Sequence, residues 1–76
     1  MPDLVGSNLQ DAQDRIQLET GDPLFRTTSH DGTGAGRHQV LDADWQVCAQ
    51  NVPPGARVTL ASKIDFTVVK HGEPCP

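Results

Sequence analysis

The sequence predicts an α+β domain: one α-helix packed on a three-stranded, mainly antiparallel β-sheet. Three observations carry that expectation. Leu9, Ala12 and Ile16 recur at helical spacing behind a short extended entry. Two later segments, Trp45 to Gln50 and Ile64 to Lys70, are apolar with strand-like alternation. Proline and glycine breaks separate these segments, so each is a short element of one small domain.

Residues 2–6 are read as extended, because Pro2 fixes φ and Gly6 frees the turn. Ser7 is the expected N-cap, with Gln10 three residues on to complete a capping box. Asp11 and Asp14 sit early, where the helix dipole favours negative charge. Thr20-Gly21 ends the helix and Asp22-Pro23 stops it, which places the helix over 8 to 19.

Leu24 to Ser29 reads as the first strand. His30 to Arg37 reads as a loop, since Gly32, Gly34 and Gly36 hold regular structure poorly. Residues 38–44 are ambiguous, with Val40 and Leu41 as candidate anchors of that loop to the core. In the second strand, Trp45, Val47 and Ala49 share one face, with Gln46, Cys48 and Gln50 on the other. Pro53-Pro54-Gly55 ends it. In the third strand Ile64, Phe66 and Val68 face inward, with Asp65 and Thr67 outward.

A chain of 76 residues makes one small domain, and such a domain buries only about 60% of the surface its unfolded chain exposes. A covalent staple is therefore expected. Cys48 and Cys75 are either bridged or two free thiols. The bridge is favoured because an unpaired thiol on the Gly72-Glu73-Pro74-Cys75-Pro76 tail would be a liability. Disulfides persist outside the reducing cytosol, so a bridge implies an extracellular or cell-envelope location. No stretch approaches the length of a membrane span, so no membrane insertion of this segment is expected. No signal peptide is recognised, and a secreted chain would carry its targeting segment upstream.

The net charge of −4, with six scattered basic residues, argues against nucleic acid as a partner. It also disfavours anionic polymers and lipids. Ser29-His30-Asp31 has the residue types of a hydrolase triad, but consecutive residues do not converge as nucleophile, base and orienter. Asp31 is read instead as the start of an Asx-type turn. Gly32 to Gly36 lacks the following helix that a phosphate cradle needs. His30, Asp31, His38, Asp42 and Asp44 match no metal-ligand spacing. A Cys48 nucleophile is disfavoured by the expected bridge. No enzyme, metal or cofactor is expected.

Two cassettes carry a family resemblance. The first is Pro2-Asp3-Leu4-Val5-Gly6 running into Ser7-Asn8-Leu9-Gln10-Asp11-Ala12, and the second is Val47-Cys48-Ala49-Gln50-Asn51-Val52-Pro53-Pro54-Gly55. In that order and spacing the chain resembles a PASTA domain, the module associated with bacterial penicillin-binding proteins and serine/threonine kinases. The resemblance runs from Pro2 to about Lys70. Val52 stands where the family often has Pro, and the cysteine pair with the long glycine-containing loop is a further departure. The Val52 departure changes the turn, not the fold; the cysteine pair with its loop reads as a single stand-alone or terminal copy. The resemblance implies the strand order βαβββ and recognition of cell-wall peptidoglycan fragments, muropeptides or the β-lactams that mimic them. It implies equally well a structural spacer of a larger envelope protein without a ligand of its own. A monomer is expected in isolation.

For a ligand site, Arg37 and His30 from the loop are the candidates, with Trp45 beside them. The guanidinium suits a peptide carboxylate. Trp45 is read either as a sugar-stacking platform or, more often for a lone Trp, as the core anchor.

Overall fold

The computed structural model describes residues 1–39 and 42–76. The anchoring role expected of Val40 and Leu41 lies outside the described residues. The order is α1 (Leu9–Thr20), β1 (Thr28–Asp31), a 3₁₀ turn (Asp42–Asp44), β2 (Trp45–Gln50) and β3 (Asp65–Lys70). The class is α+β, one helix with a three-stranded sheet.

The sheet is mixed, not mainly antiparallel. Its order is β1-β3-β2, with β1 parallel and β2 antiparallel to β3. The last strand takes the centre because it is apolar on both faces: Phe66 and Val68 are fully buried on one, Val69 on the other. The leading strand of a βαβββ order is reduced to a single bridge between Asn8 and Gln46. Around it, Gly6 N–H donates to the Val47 carbonyl at 2.9 Å and Val47 N–H to the Ser7 carbonyl at 2.8 Å.

The helix buries Leu9, Ala12 and Ile16, the stripe read from spacing. Its N-cap is Asn8, not Ser7: Asn8 Oδ1 accepts from Asp11 N–H at 2.8 Å. No capping box forms, because Gln10 reaches forward to Asp14. Ser7 instead serves the pairing with Val47, so its backbone is held one residue outside the cap. Gly21 ends the helix at φ 69°, in the left-handed region that favours glycine.

β1 begins four residues later than Leu24, at Thr28, and takes in His30 and Asp31 from the expected loop. Residues 22–25 make a turn instead, closed by Phe25 N–H onto the Asp22 carbonyl at 3.1 Å, with Asp22 Oδ1 accepting from Leu24 N–H at 2.9 Å. In β2 a bulge falls at Cys48, since Val47 pairs with Val68 but Ala49 with Thr67. The bulge reverses the faces after it. Ala49 is exposed, while Gln50 pairs opposite Phe66 and turns toward the N-terminal entry.

Gln50 then ties three segments together. Its Oε1 accepts from Leu4 N–H at 2.9 Å, and its Nε2 donates to the carbonyls of Pro2 at 3.1 Å and Val52 at 2.7 Å. Gln50→Ala should lower the unfolding free energy by about 1–3 kcal/mol, because these partly buried backbone groups lose their partner. Urea denaturation reads the change directly.

Cys48 and Cys75 form a disulfide across a separation of 27 residues. The bridge draws the tail over the sheet face away from the helix. At Gly32 an added Cβ would stand 2.8 Å from Thr67 Cγ2 and 3.3 Å from Pro76 Cγ. A Cys48→Ser/Cys75→Ser double variant should lose roughly 3–4 kcal/mol of unfolding free energy, the chain-entropy value for a loop of this length. Reductant should lower the melting temperature of the wild type and leave that of the variant unchanged.

Candidate functional site

Asp31 ends β1 on the face it shares with Val68, and its side chain is entirely buried. A buried carboxylate needs donors on all sides. The following loop supplies them by curling around it. Thr33 donates to Oδ1 through its N–H at 3.0 Å and its hydroxyl at 2.7 Å, which is the Asx-type turn read from sequence. Arg37 donates to Oδ2 from its backbone N–H at 3.2 Å and from Nε at 2.8 Å. Its Nη2 reaches Oδ1 at 3.3 Å, which makes the pair bidentate.

The same Nη2 donates to Glu73 Oε1 at 2.7 Å, and Glu73 Oε1 also accepts Lys70 N–H at 2.8 Å. Arg37 lies over the Trp45 ring, 5.0 Å from its centroid, with Lys70 Nζ at 5.8 Å. The glycine-containing loop and the C-terminal tail are therefore latched to each other through one guanidinium.

The charges follow from this geometry. The Arg37 guanidinium above all holds the Asp31 carboxyl far below the usual carboxylate range; burial opposes it and the Thr33 bonds add to it. Arg37 also holds Glu73 low, helped by the Lys70 N–H. Asp31 and then Glu73 raise the Arg37 guanidinium in return.

Arg37 and Trp45, two of the residues singled out from sequence, thus come together. Neither presents an open ligand surface: Trp45 is a core residue, 2% exposed, and the fork of Arg37 is filled by two carboxylates of its own chain. His30 is not brought to them. It pairs with Thr67 on the opposite sheet face.

There His30 Nδ1 lies 2.7 Å from Asp65 Oδ2 and its Nε2 lies 3.1 Å from the Thr67 hydroxyl. Thr28 donates its hydroxyl to Asp65 Oδ1 at 2.7 Å. Asp65, His30 and Thr67 stand in the order of a hydrolase triad, drawn from two strands as such a triad requires. The line runs along the sheet face away from the helix with the His30 side chain 57% exposed, however, and Gly32 N–H, two residues beyond His30, is spent on the Val68 carbonyl at 2.7 Å. We read it as a cross-strand polar ladder that fixes the parallel register. Spacing could not show it, because it depends on β1 lying beside β3. Ser29 and Asp31 face away from His30.

Among the described residues, no group of three His, Cys, Asp or Glu side chains is gathered to hold a metal. No described helix is long and apolar enough to cross a membrane. Comparison with protein-family models, with curated proteins and with solved structures finds no match.

Both carboxyls of the latch are depressed in the folded state, so their stabilisation is complete above the unfolded value and is lost as pH falls below it. Thermal melts should therefore show stability declining once pH drops below about 4, the unfolded carboxylate value. Asp31→Asn should be less stable at neutral pH and should lose part of that acid-dependent decline.

Proposed function

We propose that the chain is a PASTA-type, non-catalytic module that works outside the reducing cytosol and recognises peptidoglycan fragments. The observation that supports it best is the interlocking of the two cassettes on which the resemblance rests. Residues of the Pro2–Gly6 entry are bonded to Val47 and Gln50 of the second cassette, and Gly55 N–H closes onto the Met1 carbonyl at 2.7 Å. The cassettes are thus the two halves of one clasp, which gives their order and spacing a physical reason. The disulfide supports the location, since such a bridge persists where thiols are not kept reduced.

A second reading has its own support. Arg37 and His30 both have partners within the chain, which favours a spacer or targeting unit that positions a larger envelope protein. An NMR titration with a synthetic muropeptide separates the two. Saturable amide shifts are expected for recognition, with weak affinity. A spectrum unchanged at about 1 mM ligand, a free-energy scale near −4 kcal/mol, would leave only the spacer.

A further inference from the structure

A cleft of about 540 Å³ opens between α1, the turn before β1 and the 3₁₀ turn. Its volume falls within the roughly 300–1,000 Å³ of small-ligand sites. Its polar lining is Gln13 and Gln17 from α1, Arg26 and Thr27 from the approach to β1, and Asp42. The rim includes Leu24, which is 82% exposed. None of these residues belongs to the Asp31–Arg37–Glu73 latch or to the His30 ladder.

Among the described residues, the polar groups here have few partners. Thr27 Oγ1 is buried without a hydrogen-bond partner among the described residues. That hydroxyl has no contact with solvent and is closed to a ligand in the cleft, so Thr27 contributes to the lining through its other atoms. Arg26 and Asp42 line one cleft with opposite charge, yet neither forms an ion pair among the described residues. Among the described residues the Gln17 amide makes one long bond, 3.4 Å to the Phe25 carbonyl, and its Oε1 accepts none. The cleft therefore offers a cation, an anion and two carboxamides beside a short apolar rim.

We propose that this cleft binds a short peptide bearing a free carboxylate and a free ammonium group, with small apolar side chains between them. Arg26 takes the carboxylate and Asp42 the ammonium. Gln13 and Gln17 bond the peptide amides. Leu24 covers a methyl side chain. As the holder of the peptide part of a muropeptide the cleft rests on the reading above; as a peptide site it stands on its own lining.

The test uses the whole chain and two probes: the tetrapeptide L-Ala-D-isoGln-L-Lys-D-Ala, and its all-L isomer. Amide shifts should map to residues 13, 17, 26, 27 and 42. Arg26→Gln and Asp42→Asn should each weaken binding about tenfold, the effect of losing one charge-assisted hydrogen bond. Arg57→Gln, the same charge change outside the cleft, should bind as wild type. Preference for the first probe supports both the cleft and the peptidoglycan reading. Equal binding of the two isomers at the cleft keeps the peptide site and overturns peptidoglycan specificity. Shifts elsewhere, with Arg26→Gln unchanged, overturn the cleft and leave recognition standing. No binding of either probe, or of the intact muropeptide, overturns both.

Discussion

The Asp31 carboxylate sits at the end of β1 with no exposure to water, and the loop that follows it is arranged to keep it ionised. An ionised carboxylate in such a place is tolerable only when paired and hydrogen-bonded. Five donor contacts from Thr33 and Arg37 meet that need, and they dictate the path of the loop from residue 32 to residue 37. Arg37 has one bond left over, which it gives to Glu73 and so to the tail. The tail in turn delivers Cys75 to Cys48. The loop, the tail and the covering of the outer sheet face are thus coupled through one ion pair and one covalent bond.

That coupling explains how so small a chain can use a strand buried on both faces. Val69 points away from the helix and is nonetheless fully buried, on the side to which the disulfide returns the tail. The helix covers the other side with Leu9, Ala12 and Ile16. A domain with so few large apolar residues cannot supply two apolar layers. It substitutes a tethered tail for the second layer.

Features set by local periodicity were legible in the sequence. The helix stripe, the extent of β2, that of β3 to within one residue at its start, and the inward set Ile64, Phe66 and Val68 all depend on neighbours a few residues apart. The cysteine pairing was legible because only two cysteines exist. The parallel pairing of β1 was not, because which strand takes the centre depends on burial of both faces of β3, and Val69 alone hinted at that. The bulge at Cys48 was also hidden. It shifts Ala49 outward and turns Gln50 toward the entry, and strict alternation cannot represent it. Asp31 was read correctly as a turn former, but its burial depends on Arg37 and Glu73, six and 42 residues further on.

The same reasoning bears on where a ligand belongs. Arg37 looked suited to clamp a carboxylate, and it does clamp two, both from its own chain. A foreign carboxylate there would have to displace Glu73 and loosen the tail, or displace Asp31 and strand a buried charge. Either exchange costs about as much as the new bond returns. The cleft beside α1 carries no such opposition. Among the described residues Arg26 and Asp42 form no ion pair that must be broken before they can bind. Affinity follows from what is left unpaired in a rigid setting, not from which residue types are present.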